Sequence, residues 1–224
     1  SRGLGDVYKR QGIDVELAKE AFRRLGYRPK FENIVWEDKD ELLADGTVDC
    51  LWSSYSMNGR EDKYQWAGPY LYSRQMVVVK NESEIQTLSD LKGKRIAVQA
   101  TTKAEDLFLH NIKSDLPQMQ QVNCFSTTNE IYAALRKSYV DAIAGHEAML
   151  GSLVKEGKDA YRMLDESIYK SELGVAFKKG THEEVAADLT ETLKKLQREG
   201  ITEKIVTKYG LDADEILPEG EQNE

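Results

Sequence analysis

The apolar positions of the chain change rhythm several times, and each change marks an element. From Gly12 on, Leu17, Ala18, Ala21, Phe22 and Leu25 fall on one face of a helix, with Asp14 as its cap and Gly26 at its C′ position. An extended segment over residues 31–36 follows, then a short helix over 38–44 ended by Gly46, then an apolar strand over 48–52. Helix, strand, helix, strand in that order predicts a parallel sheet covered by helices.

A second unit of the same kind follows. Beyond a Gly68-Pro69 turn, the β-branched run 75–80 reads as a strand, and Leu91-Lys92-Gly93-Lys94 introduces another over 95–99. Residues 103–112 have helical spacing, 120–125 are extended, and Thr127 or Thr128 caps a helix over 129–136 that feeds a strand over 140–144. Val48-Asp49 and Val140-Asp141 open strands in corresponding places, a repeat that suggests two lobes of similar build. A strand over 173–178, an amphipathic helix over 183–199 carrying Val185, Leu189, Leu193 and Leu196, a stop at Gly200 and a last helix over 202–209 complete the pattern. No Gly-, Ser- or Pro-rich linker separates the halves, so short strand-like crossings near 73–76 and 170–174 are expected to join them.

Composition narrows the function. A chain of 224 residues suffices for one large domain or two small ones. Charged residues make up 31% of it, with a net charge of −8 and no basic block, so an electrostatic footprint for nucleic acid is missing. No run approaches the roughly 20 apolar residues that span a bilayer. Cys50 and Cys124 lie far apart, without the spacing of a metal knuckle or a redox pair, and read as two buried small hydrophobes. No metal or cofactor is expected. Residues 1–11 show neither periodicity nor a signal-peptide core and are expected to be a non-native or disordered leader, and 212–224 a frayed acidic tail.

Six stretches occur in a fixed order between Gly12 and about Tyr209. They are GIDVELAKEAFRRLG, ELLADGTVDCLW with the GRED and WAGPY after it, DLKGKRIAVQATTKAED, ALRKSYVDAIAGH, ELGVAFKKGT and LKKLQREGITEKI. Together they resemble the extracellular solute-binding proteins of polar amino-acid ABC importers. The resemblance implies the two-lobed α/β periplasmic-binding-protein type II fold, with two crossover strands and an interlobe cleft. It implies lobe one at 12–73 and 174–211 and lobe two at 74–173, with the family's first strand missing or replaced. It also implies a non-enzymatic extracytoplasmic protein, periplasmic or a cell-surface lipoprotein. Such a protein captures an amino acid or related small carboxylate by closing on it and presents it to an ABC permease. The same fold serves as the ligand-sensing ectodomain of transmembrane kinases and cyclases, and some relatives are small-acid dehydratases. No recognisable nucleophile, metal or paired-carboxylate motif here supports turnover.

The family pattern also implies roles. Arg60 falls where the family's arginine grips the ligand α-carboxylate, a task suited to the two parallel hydrogen bonds of a guanidinium. Without that pattern, an arginine after Asn58-Gly59 is a solvated turn residue. Ser54 and Ser56 follow the strand end, at a spacing from Arg60 shorter than the common one, so either serine could face the ligand. Trp36 matches an aromatic that stacks on the solute and Trp52 sits beside the serines; both also fit a core. Thr102 and Lys103 occupy the turn after the strand over 95–99; where the family carries a hydroxyl residue this chain has Lys103, which either points to a second negative group on the ligand or is an ordinary exposed lysine. His146 stands where relatives carry an Asp for the ligand ammonium. Either Glu147 takes that role, or the ligand lacks a conventional ammonium, or the imidazole binds a different polar end; His146 as a helix cap is the remaining reading.

Overall fold

The computed structural model describes residues 12–110, 115–157 and 159–218, so the leader at 1–11, the end of the helix expected over 103–112 and the last part of the tail lie outside the described residues. In chain order the elements are α1 (Ile13–Arg24), α2 (Lys39–Ala44), β1 (Cys50–Ser56), β2 (Tyr64–Lys80), β3 (Arg95–Gln99), α3 (Lys103–Phe108), β4 (Gln121–Phe125), α4 (Thr128–Arg136), β5 (Ala142–His146), α5 (Glu147–Glu156), β6 (Tyr161–Met163), β7 (Tyr169–Lys178), α6 (Glu183–Arg198), α7 (Ile201–Lys208) and α8 (Ala213–Ile216). The chain forms the expected mixed α/β architecture and divides into two compact units. The first comprises Ser1–Asn33, Glu41–Tyr72 and Glu172–Glu224, the second Ile34–Asp40 and Ser73–Ser171.

In the first unit, β7 lies between β1 and β2 and pairs with β1 antiparallel, Cys50 opposite Phe177 and Tyr55 opposite Gly174. The parallel sheet expected here is therefore not formed. A parallel neighbour needs a crossover helix, and β1 is followed only by the loop 57–63. Strand β2 also runs straight through Gly68-Pro69, where a turn was expected. In this unit β2 pairs only on its β7 side, and an edge strand tolerates a proline. Leu17 and Ala21 of α1 meet Leu189, Leu193 and Leu196 of α6, Val206 of α7 and the β7 residues Leu173, Val175 and Phe177 in one core. Ile216 of α8, only 4% exposed, joins it, so part of the segment expected to fray is anchored by an apolar contact.

The second unit carries the parallel strands. β3 pairs parallel with both β4 and β5, and β5 pairs antiparallel with β2. Side chains of these strands alternate between two cores: Val77, Val79, Ile96, Val98, Ala142 and Ala144 on one face, Met76, Val78, Ala97 and Ile143 on the other. Burial on both faces explains why the run 76–79 is uninterrupted by polar residues. Thr127 caps α4 with a reciprocal capping box to Glu130.

Other differences are local. Residues 27–35 form no strand, and Trp36–Asp38 is a 3-10 turn ahead of α2. Strand β5 ends at His146 rather than Ala144 and leads directly into α5, a helix the periodicity did not reveal. Asp14 is not the α1 cap, a position taken by Gly12. Cys124 is exposed rather than buried, and burial pushes the Cys50 thiol up to about 12.

Candidate functional site

In the first unit, the end of β1 and the loop after it are pinned to β7. The Met57 amide donates to the Glu172 carbonyl at 2.8 Å, and the Glu172 amide donates to Asn58 Oδ1 at 2.7 Å. Within the loop, the Arg60 amide donates to the Met57 carbonyl, and the Arg60 carbonyl accepts from the Lys63 amide and from Trp66 Nε1, both at 3.0 Å. The guanidinium carbon lies 5.4 Å from the Tyr55 ring centre, and Nη1 donates weakly to the Ser56 carbonyl at 3.4 Å. Tyr55 in turn packs against Tyr64 and Trp66, at 5.5 and 5.4 Å between ring centres. This scaffold sits over Gly174, where an added Cβ would come within 2.6 Å of Met57 Sδ and 2.9 Å of Trp66 Cε3. The glycine makes room for the side chains that hold Arg60.

The nominated serines part company. Ser56 is 2% exposed, with its hydroxyl 3.3 Å from Asn58 Oδ1 in the same loop as Arg60. Ser54 sits in a bulge of β1 with a left-handed φ of 48°, and its amide and hydroxyl both donate to Asp14 Oδ2, at 2.7 and 2.9 Å. Tyr70 donates to the other Asp14 oxygen at 2.7 Å. Burial pushes the Asp14 carboxyl above its ordinary value, against the pull of these hydrogen bonds. Trp52 lies apart from the Arg60 loop, its ring tilted against Phe22 and Tyr70 at 5.8 and 5.5 Å beside the unit's core.

In the second unit, β3 and β5 are parallel neighbours, so the turn after Gln99 and the end of β5 at His146 lie along the same sheet edge, where the carboxyl ends of the strands point. Thr101 adopts a left-handed φ of 58°, and its amide donates to the Glu105 carboxylate at 2.6 Å. The Thr102 hydroxyl donates to the Gln99 carbonyl at 2.7 Å. Lys103, 5% exposed, holds its ammonium 5.2 Å from the Tyr169 ring centre. At the other strand end, Nδ1 of His146 lies 2.9 Å from the Ser73 hydroxyl and 3.0 Å from Gln75 Nε2. Gln75 Nε2 also reaches Ser171 Oγ at 3.3 Å, while the buried Gln75 Oε1 has no hydrogen-bond partner. His146 occupies the N-cap position of α5, but its side chain makes no capping bond. Glu147 is held at both oxygens by Arg74, Nε at 2.8 Å and Nη2 at 2.5 Å. Trp36 reaches this region through Lys39, whose ammonium stands 5.3 Å from its ring centre and donates to Thr101 Oγ1 at 3.0 Å.

The structure thus places Ser56 at the end of β1 and Arg60 in the loop that follows it in the first unit, and Trp36, Thr102, Lys103, His146 and Glu147 around one sheet edge of the second. Sequence reasoning missed Lys39, Gln75, Arg74 and the Tyr55–Tyr64–Trp66 scaffold. Lys39 sits among acidic residues and reads as solvated, whereas Gln75, a polar residue opening an apolar run, offered a usable signal. A depression of about 150 Å³ in the first unit, lined by Leu43, Asp49, Lys178 and His182 among others, includes none of the nominated residues. Among the described residues no group of His, Cys, Asp and Glu could hold a metal ion, and no helix is long and apolar enough to cross a membrane.

Comparison with known proteins agrees on a single family. Residues 5–212 match the model of the bacterial extracellular solute-binding proteins, family 3. The L-cystine-binding protein of Escherichia coli K12 is 27% identical over 92% of this chain and 76% of its own length. That of Bacillus subtilis is 26% identical over 91% and 74%. Among solved structures, the substrate-binding protein of an amino acid ABC transporter superposes with a TM-score of 0.77 at 27% identity, covering 88% of this chain and 87% of that one.

Proposed function

The chain belongs to family 3 of the bacterial extracellular solute-binding proteins, and from that premise we propose that it captures an amino acid or related small carboxylate, closes on it and presents it to an ABC permease. Its place in an extracellular family supports action in the periplasm or at the cell surface. Relatives named for binding cystine, glutamate and histidine support amino acids as the ligand class.

Arg60 carries the reading. Its guanidinium faces the Tyr55 ring in a loop fixed to a neighbouring strand, an arrangement that restricts the fork and lowers the ordering cost of binding a carboxylate. Ser56 supplies polar groups beside it. Ser54 acts mainly by shaping the end of β1 through Asp14, and Trp52 by packing behind it. In the second unit Thr102, Lys103 and Trp36 meet another part of the ligand. His146, with Gln75, offers polar groups in place of a fixed carboxylate, while Glu147, held by Arg74, anchors the strand end.

Thermal-shift measurements of the whole chain against a panel of amino acids test this. At a ligand concentration about 100 times Kd, the binding-competent protein gains about 2.7 kcal/mol of stability. Arg60→Ala should abolish the shift while leaving the unliganded melting temperature nearly unchanged. An equal shift in both proteins would remove Arg60 from the site and overturn the reading.

A further inference from the structure

A long side chain on a loop must be ordered when it grips a ligand, and that ordering weakens binding unless the fold has already done it. Trp66, on β2, acts on both ends of Arg60, directly at one and through Tyr55 at the other. Its indole N–H donates to the Arg60 carbonyl at 3.0 Å, beside the Lys63 amide, and so holds the peptide from which the side chain leaves. Its ring lies 5.4 Å from that of Tyr55, which the guanidinium faces at 5.4 Å. Tyr64 packs against both rings, 5.5 Å from Tyr55 and 5.3 Å from Trp66, and its hydroxyl lies 2.9 Å from that of Tyr55. All of these residues belong to the first unit.

The neighbouring strand makes way for this ring. Gly174 of β7 has no left-handed φ that would call for glycine, yet a Cβ there would stand 2.9 Å from Trp66 Cε3 and 2.6 Å from Met57 Sδ. A side chain is thus given up where the indole sits. Phenylalanine could occupy much of the same seat, but it has no donor for the Arg60 carbonyl. We propose that Trp66 is a positioning residue for Arg60: its indole N–H fixes the backbone and its ring backs Tyr55, so that the guanidinium is ordered before a carboxylate arrives.

This deepens the amino-acid-binding reading and rests on it for its effect on affinity. Two replacements separate the donor from the bulk of the ring. One is Trp66→Phe; the other puts β-(3-benzothienyl)alanine at position 66, keeping the bicyclic shape with sulfur in place of N–H. In the unliganded whole chain, the nuclear magnetic resonance signal of Arg60 Nε–H is assigned by its absence from Arg60→Ala. Its order parameter should be that of a held side chain in wild type and fall below about 0.6 in both variants. This readout needs no ligand, and a role in packing alone would not move it in the sulfur variant. In calorimetric titrations with the common amino acids and L-cystine, the tightest binder of wild type should bind both variants about three- to tenfold more weakly, the range spanned by ordering one long side chain. If Trp66→Phe does not fold, as judged by circular dichroism, the sulfur variant carries the comparison. An Arg60 order parameter or an affinity that is the same in wild type and the sulfur variant overturns the inference. Should wild type bind no member of the panel while the order parameter still falls in the variants, the amino-acid reading would fail and the positioning of Arg60 would stand.

Discussion

Asp14 shows how a single side chain can look like one thing in a sequence and act as another. Its place at the head of α1 suits a cap, but the carboxylate instead gathers Ser54 and Tyr70, which the chain supplies 40 and 56 positions later. No local pattern encodes such a contact. Because burial raises its pKa, the folded protein holds that proton more tightly than the unfolded chain. The stabilising contribution of Asp14 is therefore full below its ordinary value of 3.8 and is lost as pH rises through the raised one. Glu20 acts in the opposite sense: hydrogen bonds from Arg23 and Arg24 hold it at about 2, so its contribution is lost as pH falls below its ordinary 4.5. Urea unfolding of wild type and Asp14→Asn between about pH 3.5 and 7 isolates the first effect. The advantage of wild type over Asp14→Asn should shrink steadily as pH rises, and a constant difference would show that the carboxyl is not perturbed. At this scale the sequence named Arg60 and His146 by family pattern. It could not show that Arg74 binds Glu147 or that Lys39 is buried, since both depend on contacts across the fold.

Elements were read more reliably where local chemistry alone decides them. Strand β3 has the limits its apolar run predicts, and α4 starts where Thr127 offers an oxygen to the Glu130 amide and Glu130 answers it. Thr127→Ala should cost about 1 kcal/mol, seen as a lower urea midpoint with an unchanged slope, because one cap is lost and nothing else moves. Recovery through Thr127→Ser but not Thr127→Val would confirm the hydrogen bond as the cause. Strand directions were harder. The order helix, strand, helix, strand describes the second unit, where α3 and α4 follow β3 and β4. In the first unit the neighbour of β1 is β7, more than a hundred residues away, and no periodicity near residue 50 could announce it. The length of β2 was hidden for a similar reason, since Gly68-Pro69 reads as a turn unless its edge position is known.

For the molecule as a whole, residues buried on both faces of the second unit's sheet mark its most protected part. The amides of β5, between β2 and β3, should exchange hydrogen far more slowly than those of β4, which pairs only with β3 and is half exposed along its length. Exchange followed by mass spectrometry, with β4 as fast reference, checks this; equal protection would mean the strands open together. The same two-sided enclosure bears on how such a protein acquires new cargo. Almost every change within Met76–Val79 or Ala142–Ala144 would leave a void or a clash on one side or the other, so selection can act there only to preserve. Variation has more room in the turns beyond the strand tips, such as Thr101-Thr102 after β3, which lie outside both of these cores.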